Sequence, residues 1–137
     1  MKYFSLLISI LISVYAGAEE ASQEDLLVGK WQISPDWRQK FEPACRSITM
    51  EITSDHTIIR RTGELEYISN VTFIPDGQRL SLREILISHN GKPSCSGISA
   101  ESILKHLNQL SFAKVTFNEL SYYKNASKES LIVFTKM

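Results

Sequence analysis

The sequence predicts an all-β fold, an antiparallel up-and-down barrel that also contains one short helix. Two observations favour this class. Apolar and polar residues alternate with a period of two along most of the chain, which is typical of half-buried strands. Turn-forming pairs such as Asp76-Gly77 and Asn90-Gly91 separate the alternating runs. Because many short antiparallel strands leave unpaired edges, closure into a barrel is the expected arrangement.

The first 18 residues have the features of a cleavable secretory signal. Lys2 precedes an apolar run from Phe4 to Tyr15, and the small residues Ala16-Gly17-Ala18 follow it. A transmembrane anchor is the alternative, but the run is shorter than the roughly 20 residues that span a bilayer. We therefore expect a periplasmic or secreted protein without stable membrane insertion after cleavage, in which residues 19–137 form one domain.

The composition argues against several classes of function. The chain has 15 Lys+Arg and 15 Asp+Glu and lacks a long basic stripe, so we expect no nucleic-acid partner. It contains no P-loop, G-x-S-x-G or H-E-x-x-H motif, and His56, His89 and His106 stand far apart without metal-ligand spacing. We expect no metal, no cofactor and no enzymatic activity.

The chain has two cysteines, Cys45 and Cys95. In an oxidising compartment, a single pair most simply forms a disulfide. A redox or metal-binding role is the alternative, but a C-x-x-C motif or a Cys/His cluster is missing. The bond would close a loop of about 50 residues and stabilise the fold by roughly 4 kcal/mol in the chain-entropy model.

The strands follow from the alternation in the mature chain. Its apolar positions are Ile48, Met50 and Ile52; Leu65 and Tyr67; Val71 and Phe73; Leu80 and Leu82; Val115 and Phe117; and Leu131 and Val133. A two-residue loop at Asp76-Gly77 would pair Phe73 with Leu80 and Val71 with Leu82, which places all four side chains on the inner face.

The sequence is compatible with two orientations of the Glu84 side chain. Continued alternation places it on the inner face, within reach of Arg60 or Arg61. A bulge near Arg83 would instead turn Glu84 to solvent and Ile85 inward. We favour the outward orientation, because unpaired acids are rarely buried and bulges are common in barrels.

One segment has helical rather than strand periodicity. Apolar residues at Ile103, Leu104, Leu107 and Leu110 follow Ser99, a suitable N-cap. The pattern predicts a helix over residues 99–110. Its apolar stripe is expected to pack on the barrel, and a partner-binding helix is the alternative.

The first strand carries a short motif. Gly29-Lys30-Trp31 resembles the G-x-W signature of lipocalins and of smaller bacterial lipocalin-like domains, and residues 120–136 resemble their closing hairpin. The resemblance implies about eight strands. It also implies structural roles for Gly29, for Trp31 as a plug at one barrel end, and for Lys136 above its ring in place of the usual arginine. An ordinary core tryptophan is the alternative for Trp31.

The expected function is that of a monomeric binding module. Its barrel mouth would take up a small apolar ligand or a lipid chain. The expected ligand-binding residues are Trp37 and Phe41 in the loop after the first strand, and Tyr67, Phe112 and Tyr122 as inward aromatics.

Two other classes stay open. A barrel filled by its own side chains would suit a periplasmic inhibitor or immunity-type protein, acting on a protein partner through the exposed loop 88–97, which Cys95 anchors. A hydrolase or isomerase would need a converging acid/base pair, which the sequence does not supply.

Overall fold

The protein is described by a computed structural model over residues 22–109, 112–124 and 130–137. The predicted signal, residues 1–18, lies outside the described residues. The strands are β1 (Gly29–Ile33), β2 (Thr49–Ile52), β3 (Thr57–Thr62), β4 (Leu65–Asp76), β5 (Arg79–His89), β6 (Phe112–Val115), β7 (Glu119–Tyr123) and β8 (Ser130–Lys136). The helices are α1 (Gln23–Leu27), α2 (Pro35–Arg38) and α3 (Ala100–Gln109), with a 3₁₀ turn at Pro43–Cys45.

The eight strands form a closed barrel in which each strand pairs antiparallel with the next one along the chain. β8 returns to pair with β1, which removes the sheet edges. The predicted fold class, an antiparallel up-and-down barrel, is therefore confirmed. None of the helices in the described ranges is long and apolar enough to span a bilayer.

The predicted register of the β4–β5 hairpin is wrong by two residues. Phe73 pairs with Leu82, and Val71 pairs with Glu84. The loop consists of Gly77 and Gln78 rather than Asp76 and Gly77, because Gly77 supplies a positive φ of 62° at the first loop position, as a type II′ hairpin requires. A shift of two residues keeps every side chain on its predicted face.

The favoured outward orientation of Glu84 is also wrong. The bulge lies between Ile68 and Ser69, opposite Ile87, and not near Arg83. Glu84 is buried, whereas Ile85 is 65% exposed and Ile87 is 54% exposed. Glu84 stays inside because it has partners on the inner face, which are described below.

The core has two parts. The main cluster fills the barrel and comprises Leu27, Trp31, Ile33, Met50, Ile52, Ile58, Val71, Leu80, Ala113, Leu120, Tyr122 and Phe134. The second cluster joins Ala100 and Leu104 of α3 to Leu65 and Tyr67 of β4. The stripe of α3 therefore packs on the barrel, as expected, while Leu110 lies outside the described residues.

The side chain of Asn108 in α3 hydrogen-bonds to the backbone of β5. The Nδ2 of Asn108 donates to the Glu84 carbonyl oxygen at 2.9 Å, and its Oδ1 accepts from the Glu84 backbone N–H at 2.9 Å. These are the bonds that a neighbouring strand would make. Asn108 thus satisfies the backbone polar groups of Glu84 in β5. The described pairing of β5 with β6 lies earlier in the strand, where Leu80 pairs with Ala113 and Ser81 with Phe112.

The predicted disulfide between Cys45 and Cys95 is confirmed. It ties the 3₁₀ turn to the loop that precedes α3, and Cys45 is buried. Such a bond is typical of an oxidising, extracellular-type environment. The loop lies so close to the β3–β4 turn that a Cβ on Gly63 would stand 2.6 Å from the Cys95 backbone nitrogen.

Candidate functional site

Trp31 lies in the main core cluster of the barrel. Its side chain is fully buried, and its indole Nε1 donates to the Leu27 carbonyl oxygen at 2.9 Å. The Nζ of Lys136 lies 5.1 Å from the centre of the indole ring. The same Nζ donates to the carbonyl oxygens of Leu26 at 3.3 Å and Val28 at 2.9 Å. Lys136 therefore also satisfies carbonyls at the C-terminal end of α1, where a cation is favourable.

A cavity of about 230 Å³, which we call the chamber, lies between the barrel and α3. Its walls come from the barrel, from α3 and from the Cys45–Cys95 bond. The apolar lining includes Phe41, Ile48, Ile98, Ile103, Leu107 and Phe134. Since Ile98 is 43% exposed, the rim of the chamber reaches the protein surface.

A buried polar cluster adjoins the chamber, and Arg60 and Tyr67 belong to both. Arg60 and Glu84 form a bidentate ion pair, with Nε to Oε1 at 3.2 Å and Nη2 to Oε2 at 2.8 Å. Their side chains are 5% and 4% exposed. Ser69 Oγ donates to Oε1 of Glu84 at 2.8 Å, and Arg60 Nη2 also donates to the Tyr122 hydroxyl at 3.2 Å. The carboxylate is thus well compensated.

Burial determines the protonation state of the two phenols in this cluster. Burial alone would lower the pKa of Arg60, but the attraction of Glu84, with smaller contributions from Tyr122 and Tyr67, raises it well above the ordinary value. Burial raises the pKa of Tyr67 to about 12, with Arg60 opposing and Glu84 adding to the shift. Burial likewise raises the pKa of Tyr122. Both phenols are therefore protonated at neutral pH and able to donate.

The structure places the expected ligand-binding residues in different surroundings. Phe41 and Tyr67 line the chamber. Tyr122 is buried in the barrel interior, where its ring packs edge-on against Phe134. Trp37 lies in α2, packs partly buried against the barrel core, and has Lys40 Nζ 4.0 Å from its ring centre.

Phe112 does not point inward, and this expectation is corrected. Ala113 is the buried residue of β6, so the alternation turns Phe112 to the outer face, beside its partner Tyr123. The guanidinium carbon of Arg79 lies 6.0 Å from the Phe112 ring centre and 5.1 Å from that of Tyr123. Phe112 thus belongs to an outer aromatic–cation group.

The α3 residues in the chamber wall, Ile103 and Leu107, were not among the expected site residues. The helix was predicted, but its position over the barrel could not be read from its periodicity. Arg60 was missed as a site residue although a signal existed. It stands between Ile58 and Thr62 in the buried set of β3, and a lone arginine at an inward position indicates a buried polar cluster.

The predicted loop 88–97 begins two residues later than expected, since Ser88 and His89 belong to β5, and it is held at several points. Asn90 Nδ2 donates to the Glu64 carbonyl oxygen at 3.0 Å, and Ser94 Oγ donates to the Ile98 carbonyl oxygen at 2.7 Å. Lys92 and Pro93 are exposed. Within the described parts of the chain, no group of three His, Cys, Asp or Glu side chains is arranged to hold a metal ion.

The eight-stranded antiparallel barrel is compatible with a lipocalin-like fold. No model of a known protein family, no curated protein and no solved structure matches the chain. The geometry of the site is therefore the basis for the proposed function.

Proposed function

We propose that this protein is an exported lipocalin-like binding protein that holds a small apolar ligand in the chamber. The observation that carries the proposal is an apolar cavity of about 230 Å³ between α3 and the barrel. Apolar cavities of about 150 Å³ stay dry and bind molecules of the size of benzene, whereas drug-sized pockets start near 300 Å³. The volume favours a single ring or a short chain over a whole lipid chain.

Ethylbenzene is a suitable probe for the chamber. Titration of the mature protein, followed by calorimetry and by amide chemical shifts, should show saturable binding with shift changes at Ile103 and Leu107. Leu107→Trp should abolish binding, because the larger ring would occupy the chamber. Ile87→Trp on the exposed outer face is the matched control and should bind normally. Absence of binding to the folded native protein would refute the proposal.

Export belongs to the proposal and is supported by the Cys45–Cys95 bond. Expression of the full chain in a bacterium should yield a periplasmic protein whose N-terminal sequence begins at Glu19. A full-length product confined to the cytoplasm, with both thiols free to react, would contradict export.

Inhibition of a protein partner is the second candidate function. It is favoured by the ordered loop 88–97, which exposes Lys92 and Pro93 while hydrogen bonds and Cys95 hold its base. Rigid exposed loops suit such interfaces because little entropy is lost on binding. Lys92→Glu and Pro93→Ala should then abolish capture of the partner from an envelope extract and leave ethylbenzene binding unchanged. Capture that persists in both variants would exclude the loop as the interface.

A further inference from the structure

Tyr67 is a buried residue in the wall of the chamber. The residue is 1% exposed and lines the cavity. Among the residues that the structure describes, no hydrogen bond reaches this hydroxyl, whereas the neighbouring Tyr122 hydroxyl accepts from Arg60. Polar groups in protein interiors are nearly always paired, because an unpaired hydroxyl forfeits its hydrogen bonds to water. Tyr67 therefore brings an unused donor to the wall of the chamber.

Arg60 supplies a second donor that is only weakly used. Its Nε and Nη2 bind the Glu84 carboxylate, while Nη1 donates to the Met50 thioether sulfur at 3.3 Å. Because a thioether is a weak acceptor, this group can also serve a better acceptor. Tyr67 and Arg60, which carry these two donors, both line the chamber.

The charge balance decides the kind of acceptor. Glu84 already neutralises Arg60 through two hydrogen bonds, so the polar cluster carries no net charge from this pair. An anionic ligand group would lose its hydration in the apolar chamber and gain little from Arg60, whose charge Glu84 already balances. A neutral oxygen has a smaller desolvation cost and still accepts a hydrogen bond.

We infer that the chamber selects a neutral amphipathic ligand, a single ring or short chain whose carbonyl or hydroxyl oxygen accepts a hydrogen bond from Tyr67 beside Arg60. This inference rests on the proposed function and adds the chemical class of the ligand. The apolar walls hold the hydrocarbon part of the ligand. The hydrogen bond to the Tyr67 hydroxyl determines which end of the ligand enters the chamber first.

Three probes of similar size test the inference: ethylbenzene, acetophenone and benzoate. Tyr67→Phe should weaken acetophenone binding about tenfold, the effect of losing one hydrogen bond of about 1.4 kcal/mol, and should leave ethylbenzene binding unchanged. Benzoate should bind the native protein more weakly than acetophenone. Tyr123→Phe, at the last residue of β7 and on the outer face, is the control and should change neither affinity.

The outcomes separate the two proposals. If the folded protein binds none of the probes, the proposed function fails. If ethylbenzene binds but Tyr67→Phe affects acetophenone and ethylbenzene equally, the polar contact to Tyr67 is refuted while the apolar chamber stands. Benzoate as the tightest of the three would overturn the neutral ligand class. Thermal unfolding of each variant ensures that the affinities refer to folded protein.

Discussion

The side chain of Lys136 occupies the space that any side chain on Gly29 would need. A Cβ on Gly29 would lie 2.7 Å from Cε of Lys136, and Gly29 has a φ of 141°. The lysine is held in this position by the Val28 carbonyl and by the Trp31 ring. The spacing of glycine and tryptophan thus has a local cause: one lysine crosses the glycine and covers the tryptophan two residues later.

We expect Gly29→Ala to lower the free energy of unfolding by about 1–3 kcal/mol, through steric overlap and an unfavourable φ. Urea denaturation measures the change. In a Lys136→Ala background the overlap is absent, so the penalty should shrink to the part caused by φ. A penalty of equal size in both backgrounds would show that the lysine is not the cause.

Trp31→Ala should cost roughly 3–5 kcal/mol, because it removes a fully buried indole from the barrel core. Trp37→Ala removes a partly buried ring from α2 and should cost much less. Equal small losses in the two variants, measured by thermal or urea unfolding, would contradict the role of Trp31 as the plug.

Removing one partner of the buried pair of Arg60 and Glu84 should destabilise the fold strongly, whereas replacing both by apolar residues should not. Arg60→Met alone leaves a buried carboxylate without its partner and should cost about 3–5 kcal/mol. Arg60→Met with Glu84→Leu should be near neutral or stabilising. The exposed pair of Arg61 and Glu66, with side chains 47% and 46% exposed, is the control and should contribute less than about 1 kcal/mol. A double variant as unstable as the single one would contradict this account.

Tyr67 should make the fold sensitive to alkali. Its pKa is about 12 in the folded protein, against an ordinary value of 10.0. The unfolded chain therefore loses the phenolic proton first as the pH rises, and stability that is complete below pH 10 is lost by about pH 12. The loss amounts to about 2–3 kcal/mol. Tyr67→Phe should flatten the fall in melting temperature over this range. Tyr123→Phe should leave this fall unchanged. Equal curves of melting temperature against pH for Tyr67→Phe and the native protein would contradict the burial effect.

The disulfide should stabilise both the fold and the chamber. Replacing Cys45 and Cys95 together by Ala removes a covalent link across about 50 residues and should cost about 2–4 kcal/mol. Since this bond forms part of the chamber wall, ethylbenzene affinity should also fall in the variant. Unchanged affinity in the folded variant would show that α3 alone holds the chamber in shape.

Much of the fold could be predicted, because the alternation of apolar and polar residues specifies which face of the sheet each side chain occupies. The inward positions of Val71, Phe73, Leu80 and Leu82 were predicted correctly although the register was not, since a slip of two residues preserves the face. Alternation contains no information about where a hairpin turns, and that depended on the positive φ of Gly77.

The candidate site was less predictable, because its parts come from distant segments. Glu84 stays inside because of Arg60, which lies 24 residues earlier and two strands away in the barrel. The sequence suggested this pair but gave no reason to prefer it over a bulge. The chamber depends on where α3 rests against the barrel, and amphipathic periodicity shows that a helix packs without showing what it covers.

The pairing of β1 with β8 also has a kinetic consequence. The other strand pairs of the barrel join neighbours along the chain, so they close shorter loops and lose less loop-closure entropy than β1 with β8. Trp31 and Lys136 come from opposite ends and meet when the ring of strands closes. Contacts that form late in folding act mainly on the unfolding rate. The lysine over the tryptophan therefore determines how long the barrel stays closed more than how fast it forms.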